Sequence, residues 1–284
     1  MSQPEIYLHP TVRRGYSVMS VINALQQHLT QPENGQGYIH RVRVDIKRLR
    51  GWLRMHRCKF GDDDWKTTDR KLRSIAKKLS ARRDSQVLVE TLRWLEKKSK
   101  REYEKQAIEV IRAHIQFDLG RHPLDWKKVK EPLLSELNAI RRQAFLTDSD
   151  HIVIKGLKKT FKCSLKHGDK AFSSKDSCDE LHELRKWVKY LYYQLGFIQA
   201  VYPDAYVSER KYLNELGDQL GRIHDLNLLV QKLTTLSPEP ECIDSVSIVQ
   251  KMIDNRLKKL INKAERLYKK VFTQSPSRFI HCIT

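Results

Sequence analysis

The chain has 284 residues, with 54 Lys+Arg against 34 Asp+Glu, and carries a formal net charge of +20 at pH 7. A surplus of that size speaks to partners and not to fold: it suits a polyanion such as nucleic acid, inorganic polyphosphate or an anionic membrane surface. At 40% hydrophobic residues, with only eleven Gly and nine Pro, the composition excludes a charge-swollen disordered chain and favours long helices over many short strands.

The five cysteines, Cys58, Cys163, Cys178, Cys242 and Cys282, are odd in number and show no C-x-x-C spacing. Neither a disulfide framework nor a zinc site is indicated, and a reducing compartment fits. The opening MSQPEIYLHPTVRRG has no apolar signal-like run. No uncharged stretch reaches the roughly 18 residues of a membrane span. The expectation is a soluble cytoplasmic protein without membrane insertion.

Residues 1–10 read as a lead-in closed by Pro10, and 12–30 as a helix with Val18, Val21, Ile22, Leu25 and Leu29 on one face. PENGQG at 32–37 is a loop, followed by a helix from His40 to about Phe60. GDDD at 61–64 could be imagined holding a metal, but Asp at a helix start complements the dipole, so a capping turn is the simpler reading. The helix over 65–80 has Leu72, Ile75, Ala76 and Leu79 inward, with Arg70, Arg73 and Lys77 offset. After a break at Ala81 to Asp84, helix is expected from Ser85 to Ile115, then from Pro132 to Phe145. LTDSD at 146–150 marks a boundary between halves 1–147 and 148–284. The next helix carries Lys155, Lys159, Lys162 and Lys166 on one stripe beside Ile154, Leu157 and Phe161. Residues 168–178 read as a polar loop, His182 to Tyr202 as a helix stopped by Pro203, then helices over 207–221 and 245–272. The fold class is all-α, with about ten helices and no sustained period-two pattern.

Two of these segments are copies. In HRVRVDIKRLRGWLR, His40, Arg43, Lys47, Arg50 and Arg54 share one helical stripe, beside an apolar stripe of Val42, Ile46, Leu49 and Leu53. In HELRKWVKYLYYQLG, His182, Arg185 and Lys189 form the basic stripe, continued by Tyr192, beside Leu184, Val188, Leu191 and Leu195. The interval between matching positions is half the 284-residue chain. The pattern continues downstream: Leu72, Leu79, Asp84 and Val89 match Leu213, Leu220, Asp225 and Val230 at an interval one residue shorter. Such a duplication predicts two similar antiparallel bundles in quasi-twofold packing, the two basic stripes converging on the axis.

From His40 to Arg54 there are six Lys or Arg and a single acid, Asp45, placed off the stripe. An ordinary solvated helix face mixes both signs. Burying cations without partners costs several kcal/mol each, about 3 or more. The stripe is therefore expected to line a wet groove or to meet an anion that the chain does not supply.

At these helices the chain resembles the CHAD family, the conserved-histidine α-helical domain. The resemblance is carried by H-x-x-R-x-x-x-[KR] at His40/Arg43/Lys47 and His182/Arg185/Lys189, and by Leu-x-x-[RH]-Asp near Leu79–Asp84 and Leu220–Asp225. The resemblance implies two four-helix bundles about a pseudo-twofold with a basic channel, binding of inorganic polyphosphate, and location in the cytoplasm, including polyphosphate granules. It implies phosphate contacts from His40, Arg43, Lys47, Arg48 and Arg50 in one half and His182, Arg185 and Lys189 in the other. Arg54, Arg73, Lys77, Arg83, Lys155, Lys159, Lys162 and Arg222 complete the candidate set. Two features depart from the family pattern: Tyr192 stands where a basic residue is usual, and Gln86 and Asn227 where a second acid is.

Bland readings stand beside these. His40 and His182 could each satisfy a nearby carbonyl, and the 155–166 lysines could be a solvated face. Asp84 and Asp225 read as caps or orienters of Arg83 and His224. Signals for catalysis fail: HELRK lacks the second histidine of a zinc helix, EYEKQ at 102–106 sits on a helix, and no phosphate loop or paired carboxylates emerge. The expected function is non-catalytic binding of polyphosphate or another linear polyanion, without cofactor or metal. A nucleic-acid (RNA) binder is the alternative, and a metal-dependent phosphohydrolase a third reading.

Overall fold

The structure is a computed structural model that describes residues 10–30, 36–60, 63–79, 81–117, 126–144, 150–173, 178–236 and 242–281. Among them are eleven helices and no strand: α1 (Pro10–Thr30), α2 (Gln36–Met55), α3 (Asp64–Lys78), α4 (Ala81–Glu96), α5 (Glu102–Phe117), α6 (Lys127–Ala144), α7 (Asp150–Ser173), α8 (Cys178–Gln199), α9 (Val207–Leu236), α10 (Ile243–Val271) and α11 (Pro276–Ile280). The all-α expectation is met, and the predicted apolar stripes become the core. Val42, Ile46, Leu49 and Leu53 of α2 and Leu184, Val188, Leu191 and Leu195 of α8 are all fully buried. Each such side chain contributes about 2 kcal/mol of transfer free energy.

The described residues divide into two compact units. One falls within Met1–Lys77, Trp126–Asn214 and Val271–Thr284, the other within Lys78–Asp125 and Glu215–Lys270. Neither coincides with 1–147 or 148–284; each draws helices from both. In the first unit α2 packs on α1, α7 and α8, α7 on α8, and α11 covers α7. Buried Gln194 donates to the Gly51 carbonyl at 3.1 Å, tying α8 to α2. α7 crosses hard against the end of α2: a Cβ on Gly156 would lie 1.9 Å from the Met55 carbonyl oxygen. The core of the second unit is built from Val89, Leu92, Leu95, Ile108, Ile111, Leu226, Leu229, Leu233, Val249 and Ile253 of α4, α5, α9 and α10.

Several boundaries differ from the sequence reading. α2 ends at Met55, not Phe60, and the chain then turns through His56 and Lys59. Helix is interrupted over 97–101: Ser99 accepts from the Arg101 amide and donates to Glu104, opening α5. α6 begins at Lys127, and Pro132 is accommodated inside it at the cost of one backbone hydrogen bond. Residues 168–173 are helix and not loop, because Gly168 and Ala171 lie on the buried face of α7. α9 runs unbroken to Leu236, where its counterpart in the first half is split between α3 and α4. α11 was not foreseen; Phe279 stacks on Phe161 with ring centroids 4.2 Å apart. The predicted lead-in at 1–9, the loop at 32–35 and most of the 146–150 boundary lie outside the described residues.

Candidate anion-binding site

Within the first unit, the basic stripes of α2 and α8 meet. A cavity of about 210 Å³ is lined by Lys47, Arg50 and Arg54 of α2, Arg73 of α3, and Arg185, Lys186 and Lys189 of α8. Glu183, Trp187, Tyr190 and Tyr193 complete its wall. The helices bring the cations together because the adjacent apolar stripe of each is fully buried, which turns the next row of side chains to the margin of the core.

The cations on the α2 side are not all bare, which corrects the expectation that the chain supplies no anion. Asp69 of α3 is only 8% exposed. It accepts from Arg50 Nε at 2.9 Å, Arg50 Nη2 at 3.3 Å and Arg54 Nη2 at 2.7 Å. Burial, the largest single influence, would lower the Arg50 pKa, but Asp69 and Tyr190 together outweigh it through hydrogen bonds and charge and hold it above the ordinary value. Arg54 also lies 4.5 Å from the Tyr190 ring centroid and 5.5 Å from that of Trp187. These arginines are thus fixed in place, with part of their charge answered within the fold. Asp45, which the sequence places off the stripe, is buried and accepts from Arg48 at 3.0 Å, with His28 3.7 Å away.

On the α8 side, Lys186 pairs with Glu183. Lys189 Nζ lies 5.6 Å from the ring centroid of Tyr192. The Trp187 ring has Arg54 near it and stacks on His167, whose Nδ1 is 2.6 Å from Glu180. The Tyr193 hydroxyl is pushed up to about 12, first by burial and then by Tyr192, so it stays a neutral donor. His182, exposed at the start of the stripe, is held below the usual imidazole range by desolvation and then by Lys186 and Arg185.

Of the predicted contacts, then, Lys47, Arg50, Arg54, Arg73, Arg185 and Lys189 share one cavity. The others do not line it. Arg43 donates to the Ala76 carbonyl at 3.3 Å, and Arg48 is engaged by Asp45. His40, Lys77, Lys155, Lys159, Lys162 and His182 are exposed elsewhere on their helices. Arg222 belongs to the second unit, 5.0 Å from the Trp94 ring centroid, in a separate cavity of about 110 Å³. Arg83 lies outside the residues whose side chains are described. Sequence reasoning missed Lys186 and Asp69. The signal for Asp69 was present: it stands three residues before Leu72, an acid on the apolar face of α3. Among the described residues no group of three or more His, Cys, Asp or Glu is placed to hold a metal ion. None of their helices is long and apolar enough to cross a membrane.

The family model of the CHAD domain matches residues 18–234. Among solved structures, the crystal structure of the CHAD domain from the plant Ricinus communis matches with a TM-score of 0.61 at 15% identity, over 91% of this chain and 91% of that one. That likeness shows a shared fold. No curated protein matches the sequence.

Proposed function

The chain belongs to the CHAD domain family, and from that premise we propose that it binds inorganic polyphosphate, without catalysis, at the cavity between α2 and α8. The observation that carries this reading is the gathering of seven cations from α2, α3 and α8 around one cavity. Glu183 in the lining and Asp69 behind it answer only part of that charge. The surplus favours a guest with closely spaced negative charges. Basic residues three or four apart recur roughly every 5 Å along a helix axis, so one helix can meet several phosphates of a linear chain. Arginine would grip phosphate with two parallel hydrogen bonds and lysine as a point charge. Neutralised phosphates would release condensed counterions, giving steep salt dependence. The duplicated segments supply one wall each, which fits the expected channel about a pseudo-twofold.

A nucleic acid would satisfy the same charges and add base stacking. The aromatic lining favours it at first sight, but the rings are largely engaged. Trp187 already has Arg54 and His167 against it, and Tyr190 is buried beside Arg50 and Arg54. Phosphate without a base suits the site better.

The test is titration with polyphosphate near physiological salt, for wild type and for Lys47→Glu combined with Lys189→Glu. The expected result is loss of binding with helicity unchanged by circular dichroism. Wild-type affinity in the double variant would overturn the site. RNA displacing polyphosphate at equal phosphate concentration would replace the ligand. Phosphate release from tripolyphosphate with magnesium or manganese would overturn the non-catalytic part.

A further inference from the structure

We infer that the binding surface extends past the cavity to a second anion subsite, formed by Arg210 and Lys189 at the ring of Tyr192, which takes phosphates of a chain too long for the cavity alone. This rests on the reading of the cavity as a polyphosphate site.

The starting point is the register of the two copies. Tyr192 of α8 stands at the place of Arg50 in α2, and Gly196 at the place of Arg54. In the downstream copy, Arg210 stands at the place of Asp69. So the first corner sets a buried acid against two arginines, while the second sets an arginine against a tyrosine and a glycine. The cation missing at 192 has moved across to the facing helix.

Its surroundings leave that cation short of counter-charge. The Arg210 guanidinium lies 5.0 Å from the Tyr192 ring centroid, and its Nη1 donates to the Gln199 side-chain oxygen at 2.6 Å. Gly196 makes the room, since a Cβ there would come within 3.2 Å of Arg210 Nη2. The Nε of Arg210 is buried and makes no hydrogen bond. No carboxylate pairs with Arg210 among the described residues. A guanidinium cannot shed its proton to escape this. A neutral amide oxygen and a ring face answer a half-buried charge only in part. Lys189, on the cavity wall, approaches the same ring to 5.6 Å. The two cations therefore sit at one aromatic side chain, the lysine in the cavity and the arginine beyond its lining. A phosphate chain leaving the cavity at Lys189 reaches Arg210 next. A short anion that fits inside the cavity does not need it.

The prediction is a dependence on chain length. Tripolyphosphate and a long polyphosphate are titrated into wild type, Arg210→Gln and Arg210→Lys near physiological salt, with a thermal melt of each variant. Arg210→Gln should lose roughly tenfold in affinity for the long chain, the worth of one charge-assisted hydrogen bond. Its affinity for tripolyphosphate should stay within twofold, and Arg210→Lys should recover most of the loss. Equal weakening of both ligands together with a lowered melting midpoint would reduce Arg210 to a structural role. No change with either ligand, or failure of the lysine to restore binding, would also overturn the subsite. Failure of the cavity reading shows separately, as undiminished binding of both ligands when Lys47 and Arg185, which line the cavity but not the second subsite, are reversed.

Discussion

The α2–α3 corner and the α8–α9 corner share one sequence pattern and hold opposite charge arrangements. In one, Asp69 is buried beneath Arg50 and Arg54 and takes three hydrogen bonds from them. In the other, Arg210 faces Tyr192 and Gly196 and is matched by no acid among the described residues. The first corner is closed on itself: its cations are oriented, and removing the acid would strand them. The second is left positive, its arginine answered by the Gln199 amide oxygen and the Tyr192 ring. A matching register thus keeps helices and core without keeping electrostatics, and the difference separates a corner whose cations are held by an acid of the fold from one whose arginine has no such acid.

The largest expected effect comes from breaking the closed corner. Asp69→Ala should destabilise the protein by about 3 kcal/mol, because two largely buried guanidinium groups lose their carboxylate; chemical denaturation measures it. Added polyphosphate should raise the melting midpoint of this variant more than that of wild type, since the cavity has gained positive charge. A change below about 0.5 kcal/mol, the ordinary surface range, would show that the Asp69 cluster is not structural.

The open corner should behave the other way. Arg210→Gln, expected to cost affinity for long chains, should change stability by less than about 1 kcal/mol, because it removes an unmatched charge and not half of a buried pair. Gly196→Ala sharpens the contrast. Alanine gains helix propensity of about 1 kcal/mol over glycine, while the new methyl crowds the mobile end of Arg210. The melting midpoint should hold or rise while the preference for long chains falls. A lower midpoint with that preference intact would mean that Arg210 does not depend on the gap at Gly196.

The smallest effect is a titration. His182 lies below the ordinary imidazole range through desolvation and the neighbouring Lys186 and Arg185, so it is neutral near pH 7 in the free protein. A bound polyanion favours the charged form and should move the midpoint upward, so that binding takes up protons below neutrality. Proton NMR of the His182 ring with and without polyphosphate reads this directly. An unmoved midpoint would place the ligand away from the start of α8.

Most of the fold was legible because it is written in apolar spacing. Val42, Ile46, Leu49 and Leu53, with their counterparts on α8, announce two buried helices, and burial then fixes where the neighbouring cations emerge. What the pattern could not give was partnership across helices. Lys186 belongs to the cavity because α8 packs against α2, and no spacing within one segment encodes that. The ends of elements were hidden for a similar reason. Residues 168–173 are polar enough to read as loop, and only burial of Gly168 and Ala171 keeps them helical. The turn at 97–101 depends on Ser99 bonding Glu104, a local contact that competes with an otherwise continuous helical pattern.

The most direct test of the cavity reading is a crystal structure of the protein grown with tripolyphosphate. Phosphate groups between Lys47 on α2 and Arg185 and Lys189 on α8 are the predicted result. An anion bound in the crystal only at other surfaces, with water between those side chains, would contradict it.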